Sequence, residues 1–196
     1  MRRREFITLV GGAAAGWPLA ARAQQTKVAR IGYLGVDSAS SHAARLAALR
    51  AGLRDLGWVE GTNLLIEYRW AEGNYERLRG LADELVRLKV DVLVTHATPG
   101  ALAAKSATST ITIVLAAVGD PLALGLVSSL RVPAGNITGL STFTPELAAK
   151  RLELLKEAVP SLTKAALLYN PDNPLSQLVL QEIEPIKSIE YRSTNI

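Results

Sequence analysis

The feature that most constrains the fold is a regular alternation of short apolar runs with segments of helical periodicity. From Val28 onward, each strand-like run is followed by a stretch whose apolar residues recur every three or four positions. The run 90–95 is apolar at almost every position, as in a parallel strand covered on both faces. Strands and helices that alternate at this spacing form βαβ units. The sequence therefore predicts an α/β fold, an open parallel sheet with helices on both faces.

The boundaries of these elements follow from local signals. Gly57 is expected to end the first helix in a left-handed conformation. Thr98, Asp120 and Asn173 each precede a proline, which is the pattern of a helix cap followed by the first helical residue. The predicted strands are 28–34, 63–70, 90–95, 111–116, 137–140 and 165–169, and the predicted helices begin near 41, 78, 98, 121, 145 and 174.

An export signal precedes this domain. Residues 2–4 are arginines, and residues 7–21 are uncharged but are too short and too rich in glycine for a good spanning helix, which needs about 20 apolar residues. Ala21-Arg22-Ala23 is a small-x-small cleavage site. Residues 1–23 are therefore predicted to be a signal peptide of twin-arginine type, cleaved near Ala23, which leaves a periplasmic protein without a membrane span. The alternative interpretations of these residues are an ordinary secretory signal and an uncleaved membrane anchor.

Charge and composition exclude several classes of function. The chain has 22 basic and 18 acidic residues, and removing the four arginines and one glutamate of the signal leaves 18 and 17. This near-neutral balance lacks the basic surface that nucleic-acid binding requires, so no nucleic-acid partner is predicted. The absence of cysteine excludes disulfides, thiolate catalysis and zinc–thiolate sites.

No catalytic motif appears in the sequence. There is no dinucleotide-binding glycine pattern after the first strand, no Walker loop and no nucleophile elbow. The two histidines, His42 and His96, are far apart and lack metal-ligand spacing, and the ring of His42 is expected to be solvated. We therefore predict no enzyme, no cofactor and no metal ligand. An exported enzyme on a flavodoxin-like sheet remains an alternative.

A ligand is predicted to bind at the carboxyl edge of the sheet. In open parallel sheets, ligands lie outside the carboxyl ends of the strands, where the following helices present free amides. The loops at these ends, 35–41, 96–99, 119–121 and 141–144, are small and rich in hydroxyls, which suits a small polar ligand. For Ser41, Thr98 and Asp120, a role as a plain helix cap is the alternative.

Several stretches of the chain resemble one known family. These are GLRDLGWVEGTNLLIEYRWAEGNYERL, ADELVRLKVDVLVT, TPGALAAKSATSTITIV, GDPLALGLVSSLRVPAGNITGLS and ELAAKRLELLKEAVPSLTKAALLYNPDNP, together with the signal itself. They are similar to ABC-transporter substrate-binding proteins of the tryptophan/tyrosine type. The resemblance implies two lobes of the type I periplasmic-binding-protein fold that close on a small solute, such as an amino acid. It also implies an inner-membrane permease driven by a cytoplasmic ATPase. A sensor domain coupled to a signalling receptor is the alternative.

The resemblance also implies roles for individual residues. Thr98 and its helix N-terminus would receive a ligand carboxylate, Asp120 an amino group, and Ser141 and Thr142 would lie at the hinge. The ligand-binding residues implied are Asp37, Ser38, Ser40, Ser41, His96, Ala97, Thr98, Asp120, Ser141, Thr142 and Asn170.

The domain division is predicted from the same alternation. Lobe 1 is expected to occupy residues 24–143, a crossover helix and hinge 144–162, and the start of a second lobe 163–196. The tail from about Glu184 shows no apolar periodicity. The second lobe is therefore expected to be incomplete, with one strand and one helix followed by an atypical tail. Truncation of the chain is the interpretation, with impaired ligand binding as the consequence.

Overall fold

The computed structural model describes residues 28–131, 135–142, 144–184 and 190–195. The predicted signal peptide, its cleavage site and its twin-arginine motif lie outside these residues. None of the helices within the described residues is long and apolar enough to cross a membrane.

The main unit is a five-stranded, fully parallel sheet in the order β2-β1-β3-β4-β5. Its strands are β1 (Ala29–Gly35), β2 (Leu64–Trp70), β3 (Val92–Thr95), β4 (Thr112–Val118) and β5 (Ile137–Ser141). The strand order reverses at β1, since β2 pairs on one side of it and β3 on the other. Loops that leave β1 and β3 therefore diverge and open a crevice at the carboxyl edge.

Helices connect the strands as the sequence predicts, with the exception of the helix expected after Asp120. They are α1 (Ala43–Asp55), α2 (Arg77–Arg87), α3 (Ala97–Ala107), α4 (Thr144–Ala158) and α5 (Pro174–Ile183). Gly57 has a φ of 85° after α1, and Asn173 caps α5 by accepting a 3.1 Å hydrogen bond from the Leu175 amide. The helix predicted after Asp120 is wrong, because residues 121–125 form a series of turns.

Helices cover both faces of the sheet, which confirms the predicted architecture. Successive strand residues point to opposite faces, so Tyr33 packs with α1 and its neighbour Leu34 packs with α2 and α3. The larger core lies on the α2–α3 face, where Leu85, Leu93 and Ile113 are completely buried. The sheet is thus fixed from both sides, which holds the ends of its strands in place.

A second, smaller unit follows α4. Strand β6 (Lys164–Tyr169) leads into α5, and β7 (Glu190–Asn195) pairs in parallel with β6. The sequence analysis expected one strand followed by an atypical tail, whereas residues 190–195 form a second strand. The segment EYRSTN shows no apolar alternation, so its sequence does not indicate a strand. It forms one by pairing its backbone with that of β6.

Among the contacts that join this unit to the rest of the molecule, two lie near the carboxyl edge of the sheet. The Leu175 side chain lies so close to Gly119 that a Cβ atom there would overlap it. The Asn170 side-chain amide donates a 3.4 Å hydrogen bond to the Tyr75 hydroxyl. Both contacts lie beyond the carboxyl ends of strands, so the small unit approaches the edge where a ligand is predicted.

Candidate functional site

The predicted site residues all follow the carboxyl ends of strands. Asp37 and the serines follow β1; His96, Ala97 and Thr98 follow β3; Asp120 follows β4; Ser141 and Thr142 lie at the end of β5; and Asn170 follows β6. Because β1, β3, β4 and β5 are parallel, their ends meet at one edge of the sheet.

Two histidines and an aspartate meet at this edge. The rings of His42 and His96 are 4.2 Å apart between centroids, and one donor atom from each of Asp37, His42 and His96 lies within 4.8 Å of the others. The expectations of a solvated His42 and of unrelated histidines are therefore wrong, since His42 is only 1% exposed. The pairing of β1 with β3 brings together residues that are distant in sequence.

The hydrogen bonds of His42 define its tautomer. The Ser41 hydroxyl donates to the Ser38 carbonyl at 2.8 Å, so it accepts from His42 Nδ1 at 3.1 Å. Arg45, which can only donate, places Nη1 3.2 Å from His42 Nε2. These contacts fit the tautomer with a proton on Nδ1, in which the Nε2 lone pair faces Arg45 and Asp37.

His96 is held by the backbone of the neighbouring loop. Its Nε2 accepts a 3.2 Å hydrogen bond from the Val36 amide. Burial, and secondarily the neighbouring His42, lowers the pKa of His96 from 6.5 to about 4. The ring is thus a neutral acceptor at pH 7.

Aromatic side chains form one wall beside the histidines. The Tyr33 ring lies 5.3 Å from that of Trp70 and 6.3 Å from that of His96, measured between centroids. A groove of about 600 Å³ adjoins this wall and is lined by Tyr33, Asp37, Arg45, Val94, His96 and Ala116, among others. Sequence reasoning missed Tyr33, Trp70 and Arg45. The spacing of Tyr68 and Trp70, two residues apart on one face of a strand, is a signal that could have indicated an aromatic wall.

Helix α3 begins one residue earlier than predicted, which changes the role of Thr98. Ala97, with a φ of 58°, is already the first helical residue and His96 is the cap. Thr98 is therefore inside the first turn, and the prediction that its hydroxyl caps the helix is wrong. Among the described residues, Thr98 Oγ1 is the buried side-chain polar atom that lacks a hydrogen-bond partner. An unsatisfied buried hydroxyl costs about 1–3 kcal/mol of stability.

The remaining predicted residues are engaged by the protein itself. The Ser38 hydroxyl lies 2.9 Å from that of Ser40 and 3.3 Å from that of Ser41, so the three serines stabilise their own loop. Asp120 Oδ1 accepts from the amides of Leu122 and Ala123 and holds the turn after β4. Its Oδ1 atom is therefore occupied by this turn.

The two hinge candidates tie β5 to β4. The Ser141 hydroxyl donates to the Gly119 carbonyl at 2.6 Å, and the Thr142 hydroxyl donates to the Val118 carbonyl at 3.2 Å. These bonds fix the last residues of the sheet just before α4. The role of Ser141 and Thr142 as a hinge stays a prediction.

Tyr75 is a further residue that the sequence analysis missed. It receives the hydrogen bond from Asn170, and its pKa is raised by burial and by the nearby negative charge of Asp37. Tyr75 is therefore close both to Asn170 of the small unit and to Asp37, which lies beside the histidine pair. A tyrosine in the loop that follows β2 is the sequence feature that could have indicated it as a site residue.

The chain matches a known family and several known proteins. A family model described as ABC transporter substrate binding protein matches residues 34–188. A tyrosine-binding protein of Clostridioides difficile (strain R20291) is 32% identical over 148 residues, which make up 76% of this chain and 42% of that protein.

Two solved structures share the architecture. A conserved domain protein from Vibrio cholerae O1 biovar El Tor strain N16961 superposes with a TM-score of 0.75 at 33% identity, covering 87% of this chain and 58% of that one. A Streptococcus pneumoniae ABC domain in complex with L-Trp superposes with a TM-score of 0.73 at 26% identity, covering 86% and 57%. The chain thus spans roughly half the length of these relatives.

Proposed function

Because this chain belongs to the family of ABC transporter substrate-binding proteins, we propose that it acts as the solute-binding component of an ABC importer. The family consists of binding proteins rather than enzymes, and the five-stranded unit has the fold of a type I periplasmic-binding-protein lobe. The partners in this proposal are an inner-membrane permease and its cytoplasmic ATPase. Export would depend on residues 1–23, with cleavage near Ala23 releasing the protein into the periplasm.

The proposed solute is an amino acid. The observation that carries this proposal is the first turn of α3, where Ala97 lines the groove at the edge at which the strands end and which also contains the buried, unpartnered Thr98 hydroxyl. The first turn of a helix has amides without intrahelical partners and a positive dipole end, which together favour a carboxylate. The relatives that bind tyrosine or tryptophan support this choice of ligand class.

The other residues complete the proposed site. Asp120 Oδ2 is assigned to the amino group, and the aromatic wall of Tyr33 and Trp70 lies beside the groove that would receive the side chain. Ser141 and Thr142 remain assigned to the hinge, between a lobe at 24–143 and a second lobe that begins near 163. The described residues supply mainly one wall of such a cleft, so we expect the 196-residue chain to bind its solute weakly.

The test compares amino acids with their decarboxylated analogues. L-tyrosine and L-tryptophan are titrated into the purified chain beside tyramine and tryptamine, with binding followed by ligand-observed NMR, which detects weak complexes. We expect both amino acids to bind and both amines to bind at least about tenfold more weakly, since a hydrogen bond to a charged group contributes about 1.5–3 kcal/mol. Equal binding of acid and amine would contradict the assignment of the carboxylate to α3.

A pair of variants tests the hydroxyl directly. Thr98→Val keeps the shape of the side chain and removes the hydroxyl, whereas Thr62→Val makes the same change in an exposed turn. We expect only Thr98→Val to weaken amino-acid binding, by about tenfold. If the two variants bind equally well, the Thr98 hydroxyl is not a ligand contact.

A further inference from the structure

We propose that Asp37, His42 and His96 bind a divalent transition-metal ion, Zn²⁺, at the carboxyl edge of the sheet. Two imidazoles and one carboxylate are a ligand set that suits this ion and leaves a coordination position open for water or a solute. The inference goes beyond the proposed function and does not depend on it, because metal binding is measured with no solute present.

The three donors are already close to the required separations. His42 Nε2 lies 4.0 Å from Asp37 Oδ2, and the three donor atoms lie within 4.8 Å of one another. Ligands bound at 2.0–2.2 Å in a tetrahedral arrangement are about 3.4 Å apart. Bringing the donors to that separation requires movements of about 1 Å, and the exposed Asp37 side chain, on a loop, can supply those that involve its carboxylate.

His42 is oriented as metal-binding histidines usually are. Its Nδ1 proton is directed to the Ser41 hydroxyl, which is itself fixed by the Ser38 carbonyl. This arrangement leaves the Nε2 lone pair facing Asp37. A second hydrogen bond of this kind fixes the tautomer and the ring direction of a ligating histidine.

Two groups compete with the ion. Arg45 donates to His42 Nε2, and the Val36 amide donates to His96 Nε2, each at 3.2 Å. The ion must replace both of these hydrogen bonds, so the His96 ring has to turn away from the Val36 amide. Arg45 lies on the exposed side of α1 and can swing away, and its positive charge is the larger obstacle. Removing that charge should therefore strengthen metal binding.

The experiment titrates the complete, tag-free chain with Zn²⁺ against a chromogenic chelator, and with Co²⁺ followed by its visible absorption. We expect one Zn²⁺ to bind per chain. We expect bound Co²⁺ to show the visible absorption that is typical of an ion with a low coordination number. Asp37→Asn and His96→Gln should each weaken Zn²⁺ binding by at least about tenfold, and Arg45→Ala should tighten it several-fold. Asp83→Asn is the matched control on α2, which packs on the opposite face, and should bind Zn²⁺ like the parent chain.

Two results overturn the proposal. One is a Zn²⁺ affinity for Asp37→Asn equal to that of Asp83→Asn, and the other is absence of Zn²⁺ binding by the parent chain and by Arg45→Ala alike. Both Asp37 and Arg45 are exposed, so these variants are expected to fold. If Zn²⁺ binding fails while the acid-over-amine preference holds, only the metal site is wrong.

Discussion

The five-stranded unit and the β6–α5–β7 unit are made of the same kinds of elements, but the side chains of β6 are much less buried than those of the larger sheet. In the larger unit, Leu93 and Ile113 are completely buried between the sheet and its helices. In β6, residues alternate between exposed and half-buried, and Leu168 is 61% exposed. A parallel strand is stabilised when both of its faces are covered, and a pair of strands with one helix lacks the layers to cover them. The comparison shows that a strand assignment alone does not indicate a core.

The largest predicted effect contrasts one leucine from each unit. Leu93→Ala removes a completely buried side chain and should lower the free energy of unfolding by about 2–5 kcal/mol. Leu168→Ala, at an exposed position of β6, should change it by less than about 0.5 kcal/mol. Urea denaturation followed by circular dichroism measures both values. Similar losses for the two variants would mean that β6 has a core of its own.

The next effect is a dependence of stability on pH that belongs to the larger unit, which contains both histidines of the chain. The pKa of His96 is lowered from 6.5 to about 4 by burial, so the unfolded chain binds more protons than the folded chain between these values. The contribution of neutral His96 to the free energy of unfolding is therefore complete above pH 6.5 and is lost as the pH falls toward 4. The free energy of unfolding changes over this range by at most about 1.4 kcal/mol per pH unit. Access of solvent to the partly exposed ring makes the slope smaller.

This dependence is checked by urea unfolding at pH 7, 6 and 5 in the presence of a metal chelator. His96→Gln keeps an acceptor for the Val36 amide and removes the titrating group, so its stability should vary less over the same range. An unchanged pH dependence in this variant would show that other groups cause the effect.

The smallest predicted effect concerns the cap of α5. Asn173→Ala removes the acceptor for the Leu175 amide and should destabilise α5 by about 1 kcal/mol. Hydrogen exchange should show faster exchange of α5 amides and no change in the five-stranded unit, because α5 lies in the less buried unit. Asn173→Asp retains an acceptor and serves as the control. Faster exchange throughout the chain would indicate that the two units unfold together.

Local patterns predicted most of the fold. The leucine spacing in α2, the apolar run of β3 and the glycine after α1 are signals within a few residues of the elements that they define. The edge where a ligand is expected was predictable too, because parallel strands end together whatever their side chains. The family prediction is confirmed by the match over residues 34–188.

The wrong predictions concern positions whose structure the local sequence signals did not determine. Thr98-Pro99 has the local signal of a cap, yet α3 begins at Ala97 and the Thr98 hydroxyl is buried without a partner. The segment 190–195 has no apolar alternation, yet it forms β7 because β6 offers backbone groups to pair with. For β7, tertiary pairing outweighs the local preference.

The sequence by itself determined the parallel sheet, the helices on both faces, the family and the edge that carries the candidate site. Only the tertiary structure decided what that edge contains, from the His42–His96 pair beside Asp37 and Arg45 to the contact of Tyr75 with Asn170. Periodicity is a property of neighbouring residues and can be detected along the chain. The chemistry of a site depends on which distant loops the strand order brings together, and the pairing of β1 with β3 sets that order.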